Sequence, residues 1–208
     1  MGHRAKSNRP EGCNFLGKGG MKLAFAFAHF GLSPENKIVA DFGSHQGGFV
    51  DCLLKGNAAR VYSIDTCYGT LDWGLRNNPK VVVCERVNAM HWRAPEKVDM
   101  VTIDVGWTKQ EYIIPNAIKV VKPSGVVLSL LKSQYELEGN RKKCVLSREQ
   151  VDGVVEATLR WMSSKFEDVA YAVSPYPGSG GNIEVWFCLR HPFDSPFGPS
   201  GKAREEKP

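Results

Sequence analysis

One stretch of the chain has the residue types and spacing to hold a nucleoside. Lys37 to Phe42 is a short apolar run that leads into Asp41-Phe42-Gly43-Ser44-His45-Gln46-Gly47-Gly48 and then into a helical pattern. Gly43 permits a tight turn, and Gly47 and Gly48 let a ligand approach the backbone at the start of the helix. About 20 residues further on, the next apolar run ends in Asp65, where a carboxylate can accept hydrogen bonds from ribose hydroxyls. A third run leads to Asn88, suited to a base edge. The glycines follow G-x-x-x-G-G, not the G-x-G-x-x-G of a pyrophosphate cradle. An adenosyl ligand without phosphates, S-adenosylmethionine, suits that spacing better. The expected cofactor contacts are Asp41, Gly43, Ser44, His45, Gln46, Gly47, Gly48, Asp65 and Asn88. A turn that merely joins strand to helix has a similar composition, so its meaning depends on Asp41, Asp65 and the elements that position them.

Those elements alternate. Strand patterns cover Lys37–Phe42, Arg60–Ile64, Lys80–Cys84, Val98–Ile103, Gly125–Leu131, Val169–Val173 and Ile183–Leu189. Helix patterns cover Gly20–Phe30, Gly48–Leu54, Thr70–Arg76, Lys109–Val121, where Pro115 implies a kink or a late start, and Arg148–Phe166. This order predicts a Rossmann-like, doubly wound α/β fold with a mostly parallel seven-stranded sheet. The last two strands, with no helix between them, are expected to pair antiparallel at one edge. Three segments are expected: a flexible basic stretch over 1–13, one domain over 14–190, and a flexible tail over 191–208.

The 208 residues are 42% hydrophobic and 24% charged, which excludes general disorder. No apolar run reaches the roughly 18–20 residues that span a bilayer. Met1 to Arg9 is polar and basic, so no secretory signal is expected, and a cytoplasmic location follows as an expectation. The six cysteines, Cys13, Cys52, Cys67, Cys84, Cys144 and Cys188, contain no C-x-x-C pair. They read as structural, and no metal site is expected. Lys and Arg outnumber Asp and Glu by 27 to 22, a net charge of +5. Basic residues concentrate in 1–22 and at Arg141-Lys142-Lys143, which suits a polyanionic partner or a solvated surface. Trp73, Trp92 and Trp107 can stack on bases or pack in the core. Trp107 stays a substrate candidate because it follows Asp104 closely.

Asp41 to Leu54, Val61-Tyr62-Ser63-Ile64-Asp65, Tyr68 to Arg76 and Thr102-Ile103-Asp104-Val105 together resemble the TlyA branch of the FtsJ-like RNA methyltransferases. The resemblance covers about residues 14 to 190. It implies an S-adenosylmethionine-dependent ribose 2′-O-methyltransferase acting on ribosomal RNA. It also implies a Lys-Asp-Lys-Glu catalytic set, matched here by Lys22, Asp104, Lys132 and Glu184, with Asp104 on the cofactor as well. A buried lysine beside other cations can have a depressed pKa, so Lys132 is the expected base, with Asp104 and Glu184 orienting Lys132 and Lys22. The chain departs from the family pattern at Gly17-Lys18 in place of Ser-Arg, at Gln46 in place of a small hydroxyl residue, and at Ser133 in place of Pro. Members of that branch carry a small RNA-binding module in front. None is expected here, so a separate RNA-binding partner is an option. Two rivals remain: a cofactor-binding, RNA-associated protein without turnover, and a membrane-active hemolysin.

Overall fold

The computed structural model describes residues 14–137, 145–178 and 180–193. The expected segment 1–13, the Arg141-Lys142-Lys143 cluster and residues 194–208 of the expected tail lie outside the described residues. The elements run α1 (Lys18–Phe30), β1 (Ile38–Phe42), α2 (Gly48–Lys55), β2 (Arg60–Asp65), α3 (Trp73–Arg76), β3 (Val81–Glu85), β4 (Val98–Ile103), α4 (Gln110–Val120), β5 (Val121–Lys132), α5 (Ser133–Glu136), α6 (Arg148–Ser163), β6 (Phe166–Val173) and β7 (Glu184–Pro192).

They form one seven-stranded sheet in the order β3-β2-β1-β4-β5-β7-β6. β1 to β5 pair parallel. β7 runs antiparallel to both β5 and β6, so the reversed strand is inserted one place in from the edge, with β6 outermost. Helices cover both faces, which is why β1 and β4 are mostly apolar and buried along their length. Strand alternation sends Ala40, Phe42, Val101 and Ile103 toward the α4 and α6 side, where Ile113, Ile114, Val151 and Val155 meet them. Val39, Val61 and Met100 face the other way, into a core with Leu23 and Ala26 of α1 and Val50 and Leu53 of α2. α1 and α2 cross closely: a Cβ on Gly48 would lie 3.2 Å from the Gly19 Cα.

The strand order reverses between β1 and β4, whose following connections lead to opposite halves of the sheet, to β2 on one side and β5 on the other. A crevice therefore opens beyond their carboxyl ends.

Several boundaries differ from expectation. β5 begins at Val121, before the Lys122–Gly125 turn, because the ladder with β4 continues across a register shift between Val98 and Met100. α6 ends at Ser163 and Phe166 opens β6 instead. β7 continues to Pro192, past the expected end of order at Arg190, and Phe193 N–H still bonds to Lys165 C=O at 2.8 Å. Pro115 sits inside α4. Cys52 and Cys188 are buried, Cys84 is half-buried and Cys67 is exposed; Cys13 and Cys144 lie outside the described residues. No helix among the described residues is long and apolar enough to cross a membrane.

Candidate active site

The ends of the first four strands and of β5 enclose a cavity of about 450 Å³ at the switch point. Gly43, His45, Asp65, Asn88, Asp104 and Lys132 line it. Gly43, Ser44, His45, Gln46, Gly48 and Asp104 line a smaller recess of about 180 Å³, closed on the other side by Leu16 to Gly19. The two share Gly43, His45 and Asp104 and so form one continuous site. Gly43 adopts φ +91°, and an added Cβ would meet the Asp104 carbonyl oxygen at 2.6 Å. That close approach fixes the turn against β4 and leaves its mouth open to a ligand.

Asp65 fixes the turn. Its Oδ2 accepts His45 N–H and its Oδ1 accepts Cys67 N–H, each at 2.7 Å. Asn88 is exposed at the rim, with Oδ1 accepting Met90 N–H at 2.9 Å. Asp41 is fully buried behind the turn. Thr102 Oγ1 donates to its Oδ1 at 2.7 Å, while Oδ2 has no partner among the described residues. Burial pushes the Asp41 carboxyl up to about 7; Asp104 and Asp65 push the same way, against the Thr102 and Ser44 hydroxyls. Asp41 and Gly47 line neither cavity: Gly47 is buried, its Cα directed at the Leu71 and Leu75 side chains.

The four residues of the expected catalytic set come together. Lys22 Nζ lies 2.5 Å from Glu184 Oε2, and Lys132 Nζ lies 2.5 Å from Asp104 Oδ1. Lys132 and Glu184 are register partners across β5 and β7. Lys22 and Glu184 are buried. Burial raises the Glu184 carboxyl above its ordinary value, only partly offset by Lys22. For Lys132, burial opposes the charge, but Asp104, Glu184 and Tyr135 outweigh it and hold the ammonium above the ordinary lysine value. The expected depressed pKa of Lys132 is therefore corrected. Its near neighbours are two carboxylates and a phenol, not the cations that would lower it.

Sequence reasoning missed Thr102, Tyr135 and Glu136. Thr102 holds Asp41. Tyr135 stacks on Trp107, ring centroids 5.8 Å apart and planes 18° from parallel. Trp107 is 65% exposed and has φ +67°, a conformation costly for a bulky residue. Trp73 is also exposed, and Trp92 is core. The sequence signal for Tyr135 and Glu136 lay in Lys132-Ser133-Gln134-Tyr135-Glu136, where α5 sets Tyr135 and Glu136 one turn from Lys132.

The acidic lining of this crevice suits a ligand that joins a nucleoside to positive charge, and it opposes a pyrophosphate. Among the described residues no group of His, Cys, Asp and Glu is arranged to hold a metal ion.

The profile of the family described as FtsJ-like methyltransferase matches residues 15–191. The chain is 32% identical over 189 residues to YqxC of Bacillus subtilis (strain 168), assigned by name to the rRNA methyltransferases, covering 86% of this chain and 66% of that protein. It is 30% identical over 195 residues to the 16S/23S rRNA (cytidine-2′-O)-methyltransferase TlyA of Mycobacterium tuberculosis, covering 90% of this chain and 72% of that one. A solved structure described as a hemolysin from Streptococcus thermophilus superimposes with a TM-score of 0.80 at 30% identity, over 90% of this chain and 70% of that chain. The chain thus spans about two thirds of the length of these relatives.

Proposed function

The chain belongs to the FtsJ-like methyltransferase family, and from that premise we propose that it transfers the methyl group of S-adenosylmethionine to a ribose 2′-hydroxyl of RNA, with ribosomal RNA as the substrate class. The observation that carries this reading is the pairing of Lys132 with Asp104 and of Lys22 with Glu184 beside an acidic, nucleoside-sized crevice. The names of the relatives YqxC and TlyA support ribosomal RNA as substrate.

The residues present fit the cofactor. Asp65 would hold the ribose hydroxyls, Asn88 the base edge, and the 43–48 turn with Asp104 the cationic amino-acid end. The orphaned Asp41 Oδ2 adds negative potential behind the turn. When bound, S-adenosylmethionine supplies an electrophilic methyl on a sulfonium. That sulfonium would leave as a neutral thioether keeping the electron pair of the carbon–sulfur bond, so no metal or external acid would be needed on the donor side.

The chain's own task is the hydroxyl proton and the charge left on oxygen. Lys132 holds its proton in the free protein, so lysine alone is a poor base. Within a 2.5 Å contact, Nζ passes a proton to Asp104 Oδ1 and takes up the hydroxyl proton, so that the ion pair acts as the base. The ammonium that results stabilises the developing alkoxide. Lys22, fixed by Glu184, presents its charge to the ribose or an adjoining phosphate. Trp107, exposed on its Tyr135 platform, offers a face to the target base.

Incubation with methyl-labelled S-adenosylmethionine and ribosomal subunits, with Lys132→Ala in parallel, tests the proposal. Label in RNA from the native protein and none from the variant supports it; equal transfer by both refutes the assignment of Lys132. No transfer by the native protein, with cofactor bound, favours the turnover-less rival.

A further inference from the structure

Resting on the RNA reading above, the geometry points to a second nucleobase subsite: the cavity between α4, α5 and α6 takes a guanine that flanks the methylated nucleotide, and Glu136 reads its Watson–Crick edge. This cavity, about 550 Å³, is lined by Lys109, Gln110, Glu136, Gly153, Ala157 and Trp161 among others. It lies beside the reaction site because the same two chain segments build both. Asp104 to Thr108 and Lys132 line the first cavity, whereas Lys109, Gln110 and Glu136 line the second. Trp107, itself part of the first cavity's wall, stacks on Tyr135, which lies between Lys132 and Glu136. An RNA strand with its target ribose at Lys132 therefore carries a neighbouring nucleotide toward this opening.

The lining specifies what fits. Glu136 Oε1 accepts Gln110 N–H at 2.9 Å, and that is the sole hydrogen-bond partner of its carboxylate among the described residues. Capping α4 uses one oxygen and needs no cavity. Oε2 is left as an acceptor, in a position where burial pushes the carboxyl up to about 7, Lys109 pulls it down and Glu111 pushes it up. In its ionised form the carboxylate is acceptor-only, and held partly out of water it is satisfied by paired donors, which in turn favour that form. Guanine is the base that presents two adjacent donors, N1–H and the 2-amino group. Adenine and cytosine set an acceptor next to their amino group, and uracil places a single N–H between two carbonyls. Trp161 supplies an aromatic wall, and Lys109, whose contact to Glu111 is a long 3.9 Å, supplies a cation for phosphate.

An independent feature of α6 agrees. Gly153 stands inside this helix, where glycine costs about 1 kcal/mol relative to alanine. A Cβ there would meet nothing within 4 Å, so packing in the free protein does not require glycine. Gly153 and Ala157 are exposed, so the wall they form stands open to a base arriving from solvent.

The test has two arms on the full chain. In the first, the native protein and Gly153→Leu are titrated with GMP, AMP, CMP and UMP, read by tryptophan fluorescence and amide shifts around Glu136. GMP binding to the native protein at least roughly tenfold tighter than the other nucleotides, and lost in Gly153→Leu, is the expected result. Leucine suits a helix and fills the cavity, so unchanged thermal stability separates occlusion from misfolding. In the second arm, RNA oligonucleotides with each base on either side of the target are compared for affinity and single-turnover transfer. Glu136→Gln, which can still accept from Gln110 N–H, should erase a guanine preference of roughly tenfold. Equal affinity for all four mononucleotides, or a flanking-base profile that Glu136→Gln leaves intact, overturns the subsite. GMP binding at Glu136 without any RNA methylation sinks the RNA reading but keeps the guanine site; methylation with no base preference does the reverse.

Discussion

Lys132 and Glu184 stand opposite each other in the β5–β7 ladder, yet each makes its 2.5 Å ion pair elsewhere, Lys132 with Asp104 and Glu184 with Lys22. Two cations and two carboxylates thus reach one spot from α1, the loop after β4, the end of β5 and the start of β7. Charge alternates around the cluster, and each group is held from outside its own element.

That arrangement makes the Lys22–Glu184 pair sensitive to one-sided truncation. Glu184→Ala leaves Lys22 buried without its partner and should cost about 3–5 kcal/mol of stability. Replacing both, as Lys22→Met with Glu184→Leu, should recover most of that loss and still give no methyl transfer. Urea unfolding of the native, single and double variants checks the order. Equal stability of Glu184→Ala and the native protein would show that the pair carries no such burden.

Lys132→Ala should lower single-turnover transfer by roughly 10²–10⁴-fold, the range for loss of a positioned proton-transfer group. Cofactor affinity, read by calorimetry, should change little. A parallel loss of cofactor binding would instead assign Lys132 to holding the ligand.

Asp41 gives a pH signature. Its folded-state value of about 7 lies above the ordinary 3.8, so between those values the folded protein holds a proton that the unfolded chain releases. Stability therefore falls as pH rises through that window and levels off above it. The shift from 3.8 to about 7 corresponds to roughly 4 kcal/mol. Asp41→Asn lacks this penalty, so its stability relative to the native protein should grow by about that amount between about pH 4 and about pH 8. Cofactor binding should weaken in the same variant. Denaturant melts across that range check the first statement, and a pH-independent difference would contradict it.

Most of the strand positions were legible because both sheet faces are covered, so β1, β2 and β4 read as mostly apolar runs with Asp41, Asp65 and Asp104 at or near their carboxyl ends. The glycine turn was legible because the tight turn at Gly43 takes a positive φ, a demand that is local in sequence, although the Asp104 carbonyl that also excludes a side chain there is not. What was not legible depends on distant pairings. Thr102 looks like any strand residue until β4 is laid beside β1 and its hydroxyl meets Asp41. Placing β7 between β5 and β6 decides that Glu184 faces Lys132, and no local pattern states that order. The direction of the Lys132 shift was misjudged for the same reason: it depends on which charges surround the ammonium. Glu136 carries no local signal of its own; its cavity exists only because α6 returns with Gly153 and Ala157 toward α4.

Trp107→Ala should weaken RNA affinity by roughly 5–100-fold, the equivalent of about 1–3 kcal/mol for one stacked base. Thermal stability should not fall, since the ring is 65% exposed and its backbone sits at φ +67°. Fluorescence anisotropy with labelled RNA and a melting curve check both. Unchanged RNA affinity would remove Trp107 from the substrate surface.

The most direct measurement is nucleoside mass spectrometry of ribosomal RNA after incubation with the purified protein and methyl-labelled S-adenosylmethionine. Label is expected on ribose, as a 2′-O-methylnucleoside, at a discrete site and lost with Lys132→Ala. Label on a base, or label that persists at native levels in Lys132→Ala, would contradict it.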